Sequence, residues 1–137
     1  MGFNMLTQEK IESLLRNAPE HLKYKERITA LDFETPNRYS DRACSIGLTV
    51  IEREKITESV EFLINPAEDF DWQCIRVHGI NPEDVEDAPT FDVLWPEIED
   101  YFTADLVIAH NAPFDLLVLK RLFKAYGIEH DPVMCAD

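Results

Sequence analysis

Ile28-Thr29-Ala30-Leu31-Asp32-Phe33-Glu34-Thr35, closed by Pro36, is the stretch that decides how this chain folds. Its apolar and β-branched residues predict a strand that ends at the proline. Side chains alternate along a strand, so Asp32 and Glu34 point to one face and Phe33 to the other. Their Cα atoms lie ~7 Å apart in extended chain, within reach of a single cation. Two carboxylates at the end of an otherwise apolar strand repel each other and lose solvation, which a metal or a base would offset. Hard oxygen ligands favour Mg²⁺ or Mn²⁺ over zinc. The same Asp-x-Glu is also compatible with a plainly solvated strand end.

Outward from this strand the pattern stays regular. Residues 43–51 and 56–64 read as two more strands around Glu52-Arg53-Glu54-Lys55, a hairpin by length. Residues 67–89 read mostly as loop, with a short helix near 72–77 and a solvated turn or short helix at the acidic run 82–87. Thr90 is placed as the N-cap of a helix to about Phe102, with Phe91, Leu94, Trp95, Ile98 and Phe102 on its buried face. Pro96 should kink that helix or delay its regular part. Leu106-Val107-Ile108-Ala109 is a short, wholly apolar strand suited to the middle of a sheet. Asn111 is placed as the cap of a helix running to about Tyr126, with Pro113 in its first turn and Gly127 as its C-terminal cap. Residues 132–136 begin another strand, and residues 7–17 form an amphipathic helix ahead of the whole array. The expected fold class is α/β, a mixed sheet flanked by helices. Residues 1–27 hold the N-terminal helix and linker, and residues 28–137 the domain.

Composition bounds the function. The 137 residues fit one domain, and 45% hydrophobic with 29% charged residues exclude wholesale disorder. The formal charge of −14, from 27 acids against 13 bases, looks hostile to a nucleic-acid partner. It is unevenly spread. Residues 52–105 carry 16 acids and three bases, and the remainder 11 acids and 10 bases. The acidity therefore belongs to one solvated middle segment. No apolar run approaches the ~18 residues of a membrane span, the N-terminus has no apolar signal region, and Leu6 breaks a myristoylation pattern after Met1-Gly2. Cys44, Cys74 and Cys135 are an odd, widely spaced set that suggests buried thiols in a reducing compartment. No membrane partner is expected, and the default location is cytoplasmic.

His110-Asn111-Ala112-Pro113-Phe114-Asp115 is the second constellation. It joins the apolar strand to the following helix and puts Asp115 in the first turn, where the helix dipole favours a negative charge. Alone, Asp115 can be an ordinary first-turn acid and His110 a strand-end histidine. Both motifs nevertheless lie at the C-terminal edge of apolar strands, where ligands bind in open α/β sheets. Three carboxylates meeting there can hold divalent metal for hydrolysis of phosphate esters.

On these residues the chain resembles the DEDD superfamily of 3′–5′ exonucleases. Leu31-Asp32-Phe33-Glu34-Thr35 is similar to the first motif, His110 to Asp115 to the second, and Val77-His78-Gly79-Ile80 to an intervening segment. The branch resembled is the histidine-bearing one, which includes the proofreading subunit of bacterial replicative polymerases. The resemblance implies a ribonuclease-H-like fold, two Mg²⁺ or Mn²⁺ ions, and removal of nucleoside monophosphates from the 3′ ends of single-stranded DNA or RNA. By position, Asp32 would bridge both metals, Glu34 would help hold the first, and Asp115 would support the second through water. Phe33 through its backbone, Thr35, His78, Asn111 and Phe114 would lie near the terminal nucleotide. A DNA polymerase is the implied protein partner.

The resemblance also implies a third motif, a histidine and a further aspartate, beyond the last strand. The chain reads as truncated before it, with apolar surface that invites a homodimer. A catalytically inactive nucleic-acid-binding or assembly module on the same fold therefore stands beside the exonuclease reading. A phosphatase with an Asp-x-Asp-x-Thr nucleophile loop is disfavoured, because Glu34 and Pro36 stand where the second Asp and the Thr are needed. Arg38, Arg42, Lys120, Arg121 and Lys124 are the bases near the motifs and candidates for phosphate contact.

Overall fold

Alternation along the strand that carries Asp32 and Glu34 sets the architecture. The computed structural model describes Glu9, residues 27–104 and 106–130, and the backbone of Cys135–Ala136. Apart from helical Glu9, the expected helix at residues 7–17 lies outside the described residues, as do the linker up to residue 26, Asp105, residues 131–134 and Asp137. The strands are β1 (Arg27–Glu34), β2 (Ser45–Glu52), β3 (Lys55–Leu63), β4 (Leu106–Ala109) and β5 (Cys135–Ala136). They form one sheet in the order β3-β2-β1-β4-β5. β1 pairs antiparallel with β2 and parallel with β4, and β4 pairs parallel with β5. The helices are α1 (Trp72–His78), α2 (Phe91–Ile98) and α3 (Ala112–Tyr126). This is the mixed, helix-flanked sheet that the sequence pattern predicts.

One face of the sheet carries the main core. Leu31, Phe33, Ile46, Leu48 and Val107 meet Phe91, Leu94, Trp95 and Ile98 of α2 and Val118, Leu119 and Leu122 of α3. Trp95 packs edge-on to Phe123, ring centroids 4.9 Å apart, and Phe91 lies 5.7 Å from Trp95. The other face carries a smaller cluster of Ile28, Ala30, Ile51, Leu106 and Ile108. Asp32 and Glu34 belong to this second face by alternation, and Phe33 to the first.

Two local expectations are corrected. Thr90 and Asn111 occupy N-cap positions, but neither side chain caps the backbone: Thr90 Oγ1 donates to the Asp92 carboxylate instead. The helix expected to reach Phe102 stops at Ile98 and goes on as a 3₁₀ turn over Glu99–Thr103. Pro96 explains this, since it has no N–H for the Asp92 carbonyl one turn back. The short helix expected near 72–77 is α1, and the acidic run forms, as expected, a 3₁₀ turn, Pro82–Val85, closed by reciprocal Asn81–Asp84 capping with Asn81 N–H on the Asp84 carboxylate at 2.8 Å. Gly127 ends α3 as expected, at φ 65°, its N–H on the Phe123 carbonyl.

The β2–β3 hairpin turns on Arg53 and Glu54, both left-handed at φ 51° and 68°. That is a type I′ turn made without its usual Asn-Gly. Glu54→Gly should stabilise the chain by about 0.5–1 kcal/mol by relieving the Cβ clash, read as a higher urea midpoint with unchanged slope. Four residues on, the register slips: Val50 faces Glu58 but Ile51 faces Ile56, so Thr57 is an extra, bulged residue. Among the described residues no helix is long and apolar enough to cross a membrane.

Candidate functional site

The site begins where β4 stops. Ala109, the last residue of β4, stands opposite Leu31, so β1 runs on past it through Asp32, Phe33 and Glu34. The N–H of Phe33, on the β4 side, has lost its strand partner there and would be an unpaired buried donor. Asp115, in the first turn of α3 and 3% exposed, takes its place: Oδ1 accepts from Phe33 N–H at 3.0 Å. Asp32 and Glu34, half-buried, flank that residue on the strand. The two motifs, 82 residues apart along the chain, thus meet at a single strand end through a side chain-to-backbone bond.

Across β2, Asp32 faces Gly47, which has no side chain, and Gly47 in turn faces Glu61 of β3. Residues directly opposite share a face, so Glu61 is a fourth carboxylate on the side of Asp32. Sequence reasoning missed it. Counting back from the turn without a bulge pairs Gly47 with Val60, and only the extra residue at Thr57 brings Glu61 into that row.

The electrostatics follow from this crowding. Glu34 is raised to about 7 by burial first, then by Asp32, Asp115 and Glu61. Asp115 is likewise raised to about 7, chiefly by burial and then by Asp32, against the Phe33 N–H bond, which lowers it. Burial pushes Glu61 up as well. A carboxyl whose folded pKa is raised stabilises the fold below its unfolded pKa and loses that contribution as pH rises through the folded value. For Glu34 the window runs from 4.5 to about 7. His78, lowered by burial against the raising bond to Thr35, acts the other way: its contribution is present above 6.5 and fades as pH falls through the folded value. In EDTA, Glu34→Gln should therefore raise stability at pH 8 by about 1 kcal/mol, after allowance for solvent screening. It should have little effect at pH 4.5. Thermal melts at the two pH values check the difference.

Around the carboxylates the remaining residues divide. His78 is 2% exposed and engaged on both ring nitrogens. Ile80 N–H donates to Nδ1 at 3.0 Å, so Nε2 carries the proton and donates to the Thr35 carbonyl at 2.9 Å. Rather than reaching outward as an open substrate contact would, His78 ties the end of α1 to the chain just after Glu34. Cys44, wholly buried, directs its thiol toward the Glu34 carbonyl at 3.5 Å and is pushed up to about 12 by burial, so it is inert at neutral pH. Phe33 buries its ring in the main core and gives its N–H to Asp115, while Thr35 and Phe114 are half-buried and Asn111 is exposed beside the strand end.

Among the described residues no three His, Cys, Asp or Glu side chains already stand in an arrangement that could hold a metal ion. The donor chemistry nevertheless fits a hard divalent cation. Burial and mutual repulsion drive the carboxylates toward protonation, and a cation between them would relieve both.

Comparison with known proteins agrees with this geometry. Residues 29–135 match the model of the exonuclease family RNase T. The DNA polymerase III subunit epsilon of Rickettsia conorii is 32% identical over 95 residues, covering 66% of this chain and 41% of that protein. A PolC-type DNA polymerase III of Caldanaerobacter subterraneus is 28% identical over 99 residues, covering 71% of this chain and 7% of that protein. The chain thus spans about two fifths of the epsilon subunit it matches. Exonuclease X, solved with 5′ overhanging duplex DNA, superposes with TM-score 0.60 at 25% identity, over 66% of this chain and 52% of that one. The nuclease domain of 3'hExo, a DEDDh family member bound to rAMP, shares the fold with TM-score 0.68 at 14% identity, over 80% of this chain and 64% of that one.

Proposed function

The chain belongs to the exonuclease family, and from that premise we propose that it is a divalent-metal-dependent 3′–5′ exonuclease domain acting on single-stranded nucleic acid. The observation that carries this reading is the Asp115 carboxylate seated on the Phe33 N–H between Asp32 and Glu34. One buried bond joins the two acidic motifs into a single cluster, and a cation there would offset the cost of burying its charges.

Asp32, Glu34 and Asp115 would hold two Mg²⁺ or Mn²⁺ ions. Bound metal would supply an acidified water and neutralise the charge on the phosphate and the leaving oxygen. The chain's own residues do the positioning. Phe33 N–H fixes the Asp115 carboxylate, and His78, through the Thr35 carbonyl, fixes the turn that follows Glu34. The terminal nucleotide would lie against the Phe33 and Thr35 backbone, beside Asn111 and Phe114. A DNA polymerase is the partner proposed, on the likeness to polymerase III subunits, and the cytoplasm the site of action.

The test is incubation of the chain with Mn²⁺ and a 3′-labelled single strand. Release of the label as a mononucleotide supports the exonuclease. Retention of the label, with measurable binding of the strand, favours the inactive binding module instead.

A further inference from the structure

The bases near the two motifs are not scattered. Arg121, on the outer side of α3, donates from its guanidinium to the Tyr39 carbonyl at 2.6 Å, which fastens the loop after β1 to that helix. Arg42 of the same loop lies over the Tyr126 ring, 5.7 Å from its centroid, at the far end of α3. Arg38 sits over the ring of Tyr39, 5.5 Å from its centroid, and Tyr39 itself is 61% exposed. Lys120, Arg121 and Lys124 are all exposed, and after Asp115 the rest of α3 carries no acid. Both elements start at the carboxylates: the loop leaves directly from Glu34, and α3 carries Asp115 in its first turn. In a chain of net charge −14, five bases and an exposed aromatic ring thus gather on these two elements, where the loop's one acid, Asp41, lies 3.9 Å from Arg42.

We propose that this loop and the outer face of α3 form the track for a single-stranded nucleic acid whose 3′ end enters the carboxylate cluster. Arg38, Arg42, Lys120, Arg121 and Lys124 meet successive phosphates, and Tyr39 stacks on an unpaired base. The occupant follows from the chemistry. A polyanion is selected by charge, and a flat ring beside guanidinium groups suits a base whose π-face is free. Anchoring by Arg121 and Arg42 holds the loop in place before the strand arrives, so little ordering cost falls on binding.

This inference rests on the exonuclease reading, and its test separates the two. Binding of a 5′-fluorescein oligothymidylate is followed by anisotropy, with Ca²⁺ in place of Mn²⁺, across a salt series. Tyr39→Ala should weaken binding about tenfold. Lys120→Ala/Lys124→Ala should weaken it similarly and reduce the salt slope by about 1.4. Val93→Ala, exposed on α2 away from these elements, should change neither. A blunt duplex should bind less tightly than the strand. Wild-type affinity and slope in both track variants, or duplex binding as tight as that of the strand, overturns the track. Hydrolysis of a p-nitrophenyl ester of thymidylate with Mn²⁺ needs no upstream strand and reports the carboxylate site by itself. Track variants that bind normally while this ester is cleaved refute the track alone. Weakened variants with no cleavage of the ester refute the nuclease reading alone.

Discussion

Asp32→Asn should lower Mn²⁺-dependent release of a 3′ label by about 10³-fold, a loss of ~4 kcal/mol of transition-state stabilisation. The size of the effect comes from the position of the carboxylate. Asp32 lies on β1 one residue from the Phe33 N–H that holds Asp115 and two residues from Glu34, and it raises the protonation of both acids. A cation bound there would answer to all of them, so removing one charge would unbalance the whole set. Asparagine keeps the shape and stands opposite Gly47, where no side chain competes for space. The fold should be retained, which a thermal melt in EDTA checks. Activity lost together with stability would mean that the substitution had damaged the strand rather than the chemistry.

Phe91→Ala should cost about 3–5 kcal/mol, a large share of the total stability of a domain this size. Phe91 is wholly buried and is the first residue of α2, packed 6.5 Å from Phe33 and 6.4 Å from Phe123 by ring centroids. It therefore joins three elements: the strand that carries Asp32 and Glu34, the helix that carries Asp115, and α2 between them. Truncation leaves a cavity that these rings cannot fill without moving. Urea denaturation should show a fall in midpoint at constant slope. Val93→Ala on the same helix, where the side chain is 64% exposed, should stay within about 0.5 kcal/mol of wild type.

Much of this was legible in the sequence because its signals are local. The alternation Leu31-Asp32-Phe33-Glu34 fixed which residues face which side, and the observed burial follows it. The unbroken apolar run of β4 marked an interior strand, and Gly127 marked the end of α3 through its left-handed backbone. The carboxylate cluster could be named because two strand ends and one helix start are each readable on their own.

What was not legible depends on pairing across distance. Glu61 enters the row of Asp32 only because Thr57 bulges out of β3, and nothing in the local composition announces a one-residue slip. The 7-residue α1 was readable near 72–77, but what holds it was not, since so short a helix is marginal alone. Tertiary bonds hold it in place: Asp71 receives Arg38 N–H at 3.1 Å, and Asn37 donates to the Asp69 carbonyl at 3.0 Å. The closed environment of His78 was equally hidden, because its two partners are backbone groups that only the fold brings to the ring.

The most direct measurement is a crystal of the chain soaked in Mn²⁺, with an anomalous difference map calculated at the manganese edge. The account predicts density between Asp32, Glu34 and Asp115 at the end of β1, lost in Asp32→Asn. Saturating Mn²⁺ with no density among those three carboxylates, or density only elsewhere on the surface, would contradict it.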